Sequence, residues 1–287
     1  MVIGLWIALA ILLVYYTYVF GKDLFHHKNV LEKVSVLKTT IIGFVVNFFD
    51  VLGIGAFAPQ TALLKFTKQT EDRLLPGTLN VSNTIPVLIQ AFIFIQIVEV
   101  EPITLMTMLV SAALGAVLGA GIVSRLPVKK IQLTMSFALL VTAFFMFAGQ
   151  LDWIQGGGEA IGLTGWKLAM AIGANFILGA LMTAGIGLYA PCMALIYALG
   201  MSPIVAFPIM MGSCAFLMPP ASVKFIKEGA YNRKAALAMA IPGAIAVLIA
   251  VYIVKSLPMD TLRWVVILII LYTSAVMLRS ALKNQKQ

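Results

Sequence analysis

The chain reads as an all-α polytopic membrane protein, and three observations point there. It is 61% hydrophobic and only 11% charged, where an ordinary soluble domain is about 25% charged. Several apolar runs reach the roughly 20 residues that a helix needs to span a bilayer. A glycine motif, Gly53-Ile54-Gly55-Ala56-Phe57-Ala58-Pro59, returns as Gly185-Ile186-Gly187-Leu188-Tyr189-Ala190-Pro191 at a constant offset of 132. The ten-residue alternation of polar and apolar positions that marks a membrane barrel is absent.

The apolar runs are 2–20, 39–64, 77–98, 103–124, 131–148, 166–199, 203–223, 235–254 and 262–278. Run 2–20 has no positive stretch ahead of it, as a secretory signal would, so it is expected to stay as a first helix. Runs 39–64 and 166–199 carry the two glycine motifs, each with Pro six residues after its first Gly. The same offset relates Leu63 to Leu195 and Pro76 to Pro208, and Arg125-Leu126-Pro127 resembles Lys255-Ser256-Leu257-Pro258. The expected organisation is therefore an extra N-terminal helix and cytoplasmic loop (1–38), a first repeat (39–148), an extracytoplasmic linker (149–165), and a second repeat with a short cytoplasmic tail (166–287). The polar stretches are only linker-sized, so no soluble domain is expected.

The basic residues decide whether the glycine-bearing runs cross the membrane. If both return to the side they came from, all of the 20 Lys and Arg except Lys167, Lys255 and Arg263 share one side. If both cross, the division falls to 12 against 8. Excess Lys and Arg in short loops marks the cytoplasmic side, which favours the first arrangement. Each repeat then becomes one re-entrant helical hairpin plus three transmembrane helices. Three is odd, so the second repeat is inverted relative to the first. The N terminus lies outside and the C terminus is cytoplasmic; nine full spans is the alternative.

Other classes find little support. The net charge of +9 is spread through short loops and forms no nucleic-acid patch. Cys192 and Cys214 do not make a disulfide framework. His26 and His27 share one loop, away from the cysteines, so no Cys/His zinc site is expected. There is no glycine-rich nucleotide loop ending in Gly-Lys-Ser/Thr. No catalytic residue, metal or cofactor is expected.

The paired breaks carry the chemistry. Interrupted helices leave peptide groups unpaired, which a membrane tolerates only where the break is buried in protein or lines a cavity. Glycine permits positive φ and close approach of a ligand, and proline suits the first turn of a new helix. A helix start offers free N–H donors and about half a positive charge, a natural seat for an oxyanion. Two inverted breaks would bring two such starts together near the midplane. The expected binding residues are Gly53, Gly55, Ala56, Pro59, Gln60, Thr61, Asn80 and Asn83 in the first repeat, and Gly185, Gly187, Leu188, Pro191, Cys192 and Ser213 in the second. Helix packing is the competing explanation of the glycines and of the polar neighbours. Asp50, three residues before Gly53, is the one acidic residue expected inside the membrane, where such groups are functional candidates by default. A carboxylate there repels an anion unless protonated, so Asp50 is a proton-coupling candidate. Met182 stands at the matching position of the second repeat.

These motifs resemble the TauE/SafE sulfite exporter family, the toluene-sulfonate uptake permeases, over nearly the whole chain after residue 38. Family members often read Gly-x-Gly-Gly-Gly at the break, whereas Ala56-Phe57 and Leu188-Tyr189 replace the later glycines here. The resemblance implies transport of sulfite, organosulfonates or related small anions across the cytoplasmic membrane of prokaryotes. The expected function is a secondary transporter for a small sulfur-containing oxyanion. A passive anion channel is the first alternative, and an intramembrane enzyme built on Cys192 or Asp50 the second. The expected partners are the small anion and the bilayer, with a homodimer left open.

Overall fold

The structure is a computed structural model describing residues 2–151, 153, 158–185 and 187–253, and beyond these 264, 267–268, 271–272, 274–276, 278–279 and 281–282. Eight residues of the predicted last run 262–278, Arg263 among them, lie outside the described residues, as do Ile186 and Lys255. Among the described residues the fold is helical throughout, with one isolated bridge between Ala160 and Met201 in place of any strand. The helices are α1 (Val2–His26), α2 (Val36–Asp50), α3 (Phe57–Phe66), α4 (Leu75–Ile97), α5 (Pro102–Val123), α6 (Val128–Gln150), α7 (Gly165–Met182), α8 (Tyr189–Ala198), α9 (Ala206–Lys227) and α10 (Arg233–Ile253). Seven of them are long and apolar enough to cross a membrane: α1, α4, α5, α6, α7, α9 and α10.

Each glycine-bearing run is two helices rather than one. The breaks fall at 51–56, between α2 and α3, and at 183–188, between α7 and α8. Gly53, Gly55 and Gly185 adopt φ of 80°, 89° and 100°, a region that costs an L-residue about 1–2 kcal/mol. The helix cannot pass through such residues. It restarts at Phe57 and Tyr189, with Pro59 and Pro191 in the first turn, where a missing N–H leaves no intrahelical bond unmade.

The two ends of each broken segment lie side by side. The Ser35 N–H, at the N-cap of α2, donates to Gln69 Oε1 at 2.7 Å, just past α3. Lys167 Nζ, near the start of α7, donates to the Leu199 carbonyl at 3.0 Å, just past α8.

The enclosed centre is formed by α4 and α9. They run antiparallel: Gly77 faces Ala230 and Phe225, Thr84 Oγ1 and Ser222 Oγ are 2.9 Å apart, and Phe94 stacks on Phe207 with centroids 5.7 Å apart. Around this pair, α10 packs on α2 and α4, while α5 packs on α7 and α9. Both outer pairs run parallel. Thr40 meets Ala238, Gly43 meets Met239 and Asn47 meets Gly243 along α2 and α10. Thr104 meets Leu163, Met108 meets Asn175 and Gly119 meets Thr183 from the start of α5 onward. Small residues set these distances, as expected where lipid removes the hydrophobic drive between helices. A Cβ at Gly115 or Gly179 would strike the main chain of the facing helix. The opposite face of α5 presents Ile103, Val110, Leu114, Leu118 and Ile122 outward.

The extra helix α1 is held at both levels. The Tyr16 hydroxyl donates to the Val81 carbonyl at 2.6 Å, and Asp23 Oδ2 accepts from Tyr231 Oη at 2.5 Å and Arg233 Nε at 2.7 Å. One end of the bundle gathers loops 67–74, 124–127 and 228–232, joined by the Lys65–Asp72 and Arg125–Glu228 ion pairs, by Gln132 Nε2 donating to Asp72 at 2.6 Å, and by Asn232 Nδ2 donating to the Gln69 carbonyl at 3.3 Å. The other end holds Glu101, whose N–H donates to the Ile161 carbonyl at 2.9 Å. Its carboxylate caps α5, accepting from Thr104 N at 2.7 Å and Ile103 N at 3.1 Å. The Thr104 amide, above all, holds the Glu101 carboxyl below its ordinary range.

Candidate functional site

Both breaks open onto one narrow cavity. The first supplies Asp50, Gly55, Ala56 and Phe57; the second supplies Met182, Gly187, Leu188 and Tyr189; α4 and α9 close it with Val87 and Cys214. Its free volume of ≈ 10 Å³ is room for about one water molecule. The cavity faces the first residues of α3 and α8, where peptide N–H groups have no partner within their own helix. No Lys, Arg or His side chain is among its lining residues.

Asp50 is the last residue of α2 and only 2% exposed. Gln90 Nε2, from α4, donates to its Oδ2 at 2.8 Å. The Tyr189 hydroxyl, on the first residue of α8, donates in turn to Gln90 Oε1 at 2.9 Å. A three-residue chain therefore runs from the end of α2 through α4 to the start of α8. Asp50 Oδ1 is buried without a hydrogen-bond partner. The Ala56 amide lies within electrostatic reach of the same carboxyl, short of a hydrogen bond of ordinary geometry. An unpaired buried oxygen costs stability unless something meets it, so this atom marks the polar spot of an otherwise apolar chamber.

The structure brings Asp50, Gly55, Ala56, Gly187 and Leu188 together at the cavity. The other sequence-predicted residues lie around it. Gly53 turns toward Phe207 and Met210, and Gly185 toward Met135. Pro59 and Pro191 sit inside the first turns of α3 and α8. Gln60 Nε2 donates to Ser82 Oγ at 3.0 Å and its Oε1 accepts from Asn83 Nδ2 at 2.5 Å, while Asn83 Oδ1 accepts from Asn47 Nδ2 at 3.1 Å. These amides tie α3, α4 and α2 to one another. Thr61 bonds back to the Phe57 carbonyl at 2.7 Å, and Asn80 to the Pro76 carbonyl at 2.9 Å. Ser213 accepts from Asn175 Nδ2 at 2.9 Å, and Cys192 is a buried free thiol.

Cys214, a short hydrogen-bonding group beside the second break, lines the cavity, while Gln90 reaches the site through Asp50 without having been expected there, as does the side chain of Tyr189. For Gln90 a signal was present: it is a long amide in the middle of an apolar run, where an unpaired amide is costly. Tyr189 lies within the second motif, and its phenol differs from the Phe57 ring at the matching place by the one hydroxyl that reaches Gln90.

Comparison with known proteins found no matching curated protein and no matching solved structure. The family comparison does find a match: residues 167–287, which hold the second break and its half of the cavity, match the family model described as sulfite exporter TauE/SafE.

Proposed function

We propose that this protein is a secondary transporter that moves a small sulfur-containing oxyanion, such as sulfite or an organosulfonate, across the cytoplasmic membrane of a prokaryote. The observation that carries the reading is the single cavity shared by the two glycine breaks, with the starts of α3 and α8 beside it. Helix starts stabilise an oxyanion through peptide donors and the helix dipole, without a buried cation. Gly55, Ala56, Gly187 and Leu188 are the binding residues closest to the chemistry. The rest of the expected set hold the breaks in shape.

Two features support a pair of inverted repeats, 39–148 and 166–287. The equivalent helices α4 and α9 pack antiparallel, and the partner choices interchange: α5 takes α7 as α10 takes α2. The meeting of Ser35 with Gln69 and of Lys167 with Leu199 supports re-entrant hairpins opening at opposite ends of the bundle. The gathering of Lys65, Arg125 and neighbouring basic loops at one end supports a cytoplasmic placement for it, with the N terminus outside. A chamber with room for about one water favours alternating access over an open anion channel. The anion enters only when the breaks separate.

The test is flux in proteoliposomes containing the purified protein, with sulfite, methanesulfonate, thiosulfate and sulfate offered in turn. Saturable uptake and counterflow of at least one sulfur oxyanion is the expected outcome. Indifference to all four overturns the substrate class, and non-saturating current overturns the carrier.

A further inference from the structure

We propose that the cavity accepts its oxyanion as a monoanion together with one proton carried on Asp50 Oδ1, and that Gln90 is the positioning residue that keeps this oxygen free for the task. The inference rests on the transporter reading above and adds the charge state of the substrate and its coupling.

Geometry singles out the atom. Asp50 is buried, lines the cavity, and has its two oxygens in different circumstances. Oδ2 is engaged by Gln90, whose own oxygen is engaged by Tyr189. Oδ1 has nothing. A proton arriving from water therefore adds to Oδ1 and leaves the Gln90 bond in place. The carboxylic acid then presents an O–H donor to the chamber, where the carboxylate presented only a negative charge.

Among the described residues, the surroundings offer no other partner of suitable charge. The titratable groups facing Asp50 are Tyr189 from α8 and Cys214 from α9, and neither is positive in any state. No residue of α4 is titratable. On α10, which packs on α2 in parallel, Arg233 and Lys234 occupy the first turn, level with the start of α2, and Tyr252 at the far end is 85% exposed. Lys38 and Lys65 lie at the ends of α2 and α3 remote from the break. At 1.5 Å per residue, Lys38 is roughly 18 Å along the helix from Asp50.

In the proposed cycle the empty chamber holds Asp50 as the carboxylate, with the Ala56 amide at the start of α3 acting on it. When Asp50 takes up a proton, that donor is released to the incoming oxyanion. One negative charge is exchanged for another, so the chamber carries the same charge loaded and unloaded. A dianion would add a second charge with no cation to meet it, in a medium where charges are poorly screened. After the breaks open to the other side, the anion leaves and Oδ1 gives its proton to water there.

Methanesulfonate is the decisive probe, because it stays a monoanion across the working pH range and its own titration cannot mimic coupling; sulfite is run in parallel. In sealed proteoliposomes holding a trapped pH-sensitive dye, the proposal expects co-movement of one proton per anion. It expects accumulation of about ten-fold per unit of pH gradient, since one proton moves with each anion, and no response to an imposed potassium–valinomycin potential. Asp50→Asn is expected to lose the accumulation. Gln90→Leu is expected to displace the pH profile of uptake to higher pH, because the Gln90 donor favours the charged carboxylate. The wild-type stoichiometry decides the matter even if a variant fails to fold. Flux that follows the membrane potential, or moves without a proton, overturns this inference and leaves the transporter reading standing. No flux of either anion overturns both.

Discussion

Gly55 sits at φ +89°, and a Cβ built there would meet only the Tyr189 Cβ at 3.8 Å. Space is available, so Gly55→Ala tests backbone conformation alone. The strain of forcing a left-handed residue is about 1–2 kcal/mol, and the expected outcome is a lowered unfolding temperature in detergent together with slowed anion flux. Gly185→Ala adds a contact of 3.0 Å with Met135 Cε, the flexible tip of a side chain that can turn aside, so its loss should be of the same order. The conformational demand at these positions was legible in the sequence because it is local: glycine followed by proline inside an apolar run announces a break without any knowledge of neighbours. Asp50 was legible for the same reason, as the acidic residue beside that break. Gln90 stood out as an amide in an apolar run, but its role did not, since that depends on where α4 crosses the two breaks. Gln60 and Asn83 show the converse. Their polarity was visible, but only the packed structure shows that they face one another.

Between α5 and α7 the separation is fixed by residues that lack side chains. A Cβ on Gly179 would collide with the main chain at Ala112, whereas one on Gly173, on the outward face of the same helix, meets nothing within 4 Å. Gly179→Leu should therefore destabilise the fold by about 1–3 kcal/mol through overpacking. Gly173→Leu should be neutral or slightly stabilising, because Gly is a poor helix former. Thermal unfolding of the two variants in the same detergent checks the contrast. The existence of these helices could be read from apolar run length, and the breaks from their glycines. Partner choice could not. In a bilayer both faces of a helix are apolar, so hydrophobic periodicity does not say which face meets protein; the Gly115-x-x-x-Gly119 spacing on α5 was the available clue.

At the scale of the whole molecule, the meeting of Ser35 with Gln69 and that of Lys167 with Leu199 lie at opposite ends of the bundle, and the first of these ends gathers the Lys65 and Arg125 loops. Cys192 and Cys214 are buried, so an added cysteine can be read against a quiet background. Glu159→Cys, in the segment beside Glu101 and Met201, should react with an impermeant maleimide in intact cells. Lys130→Cys, near the Arg125–Glu228 pair, should react only after permeabilisation; equal labelling of both in intact cells would refute the proposed orientation. The exchange of partners between halves has a further consequence. Each half lends a helix to complete the other: α10 covers α2, and α5 covers α7. Cut at the linker, either piece would expose a glycine seam with nothing of its own to lay against it. On the proposed inverted-repeat reading, a half-length chain would need a second copy inserted in the opposite sense to cover that seam.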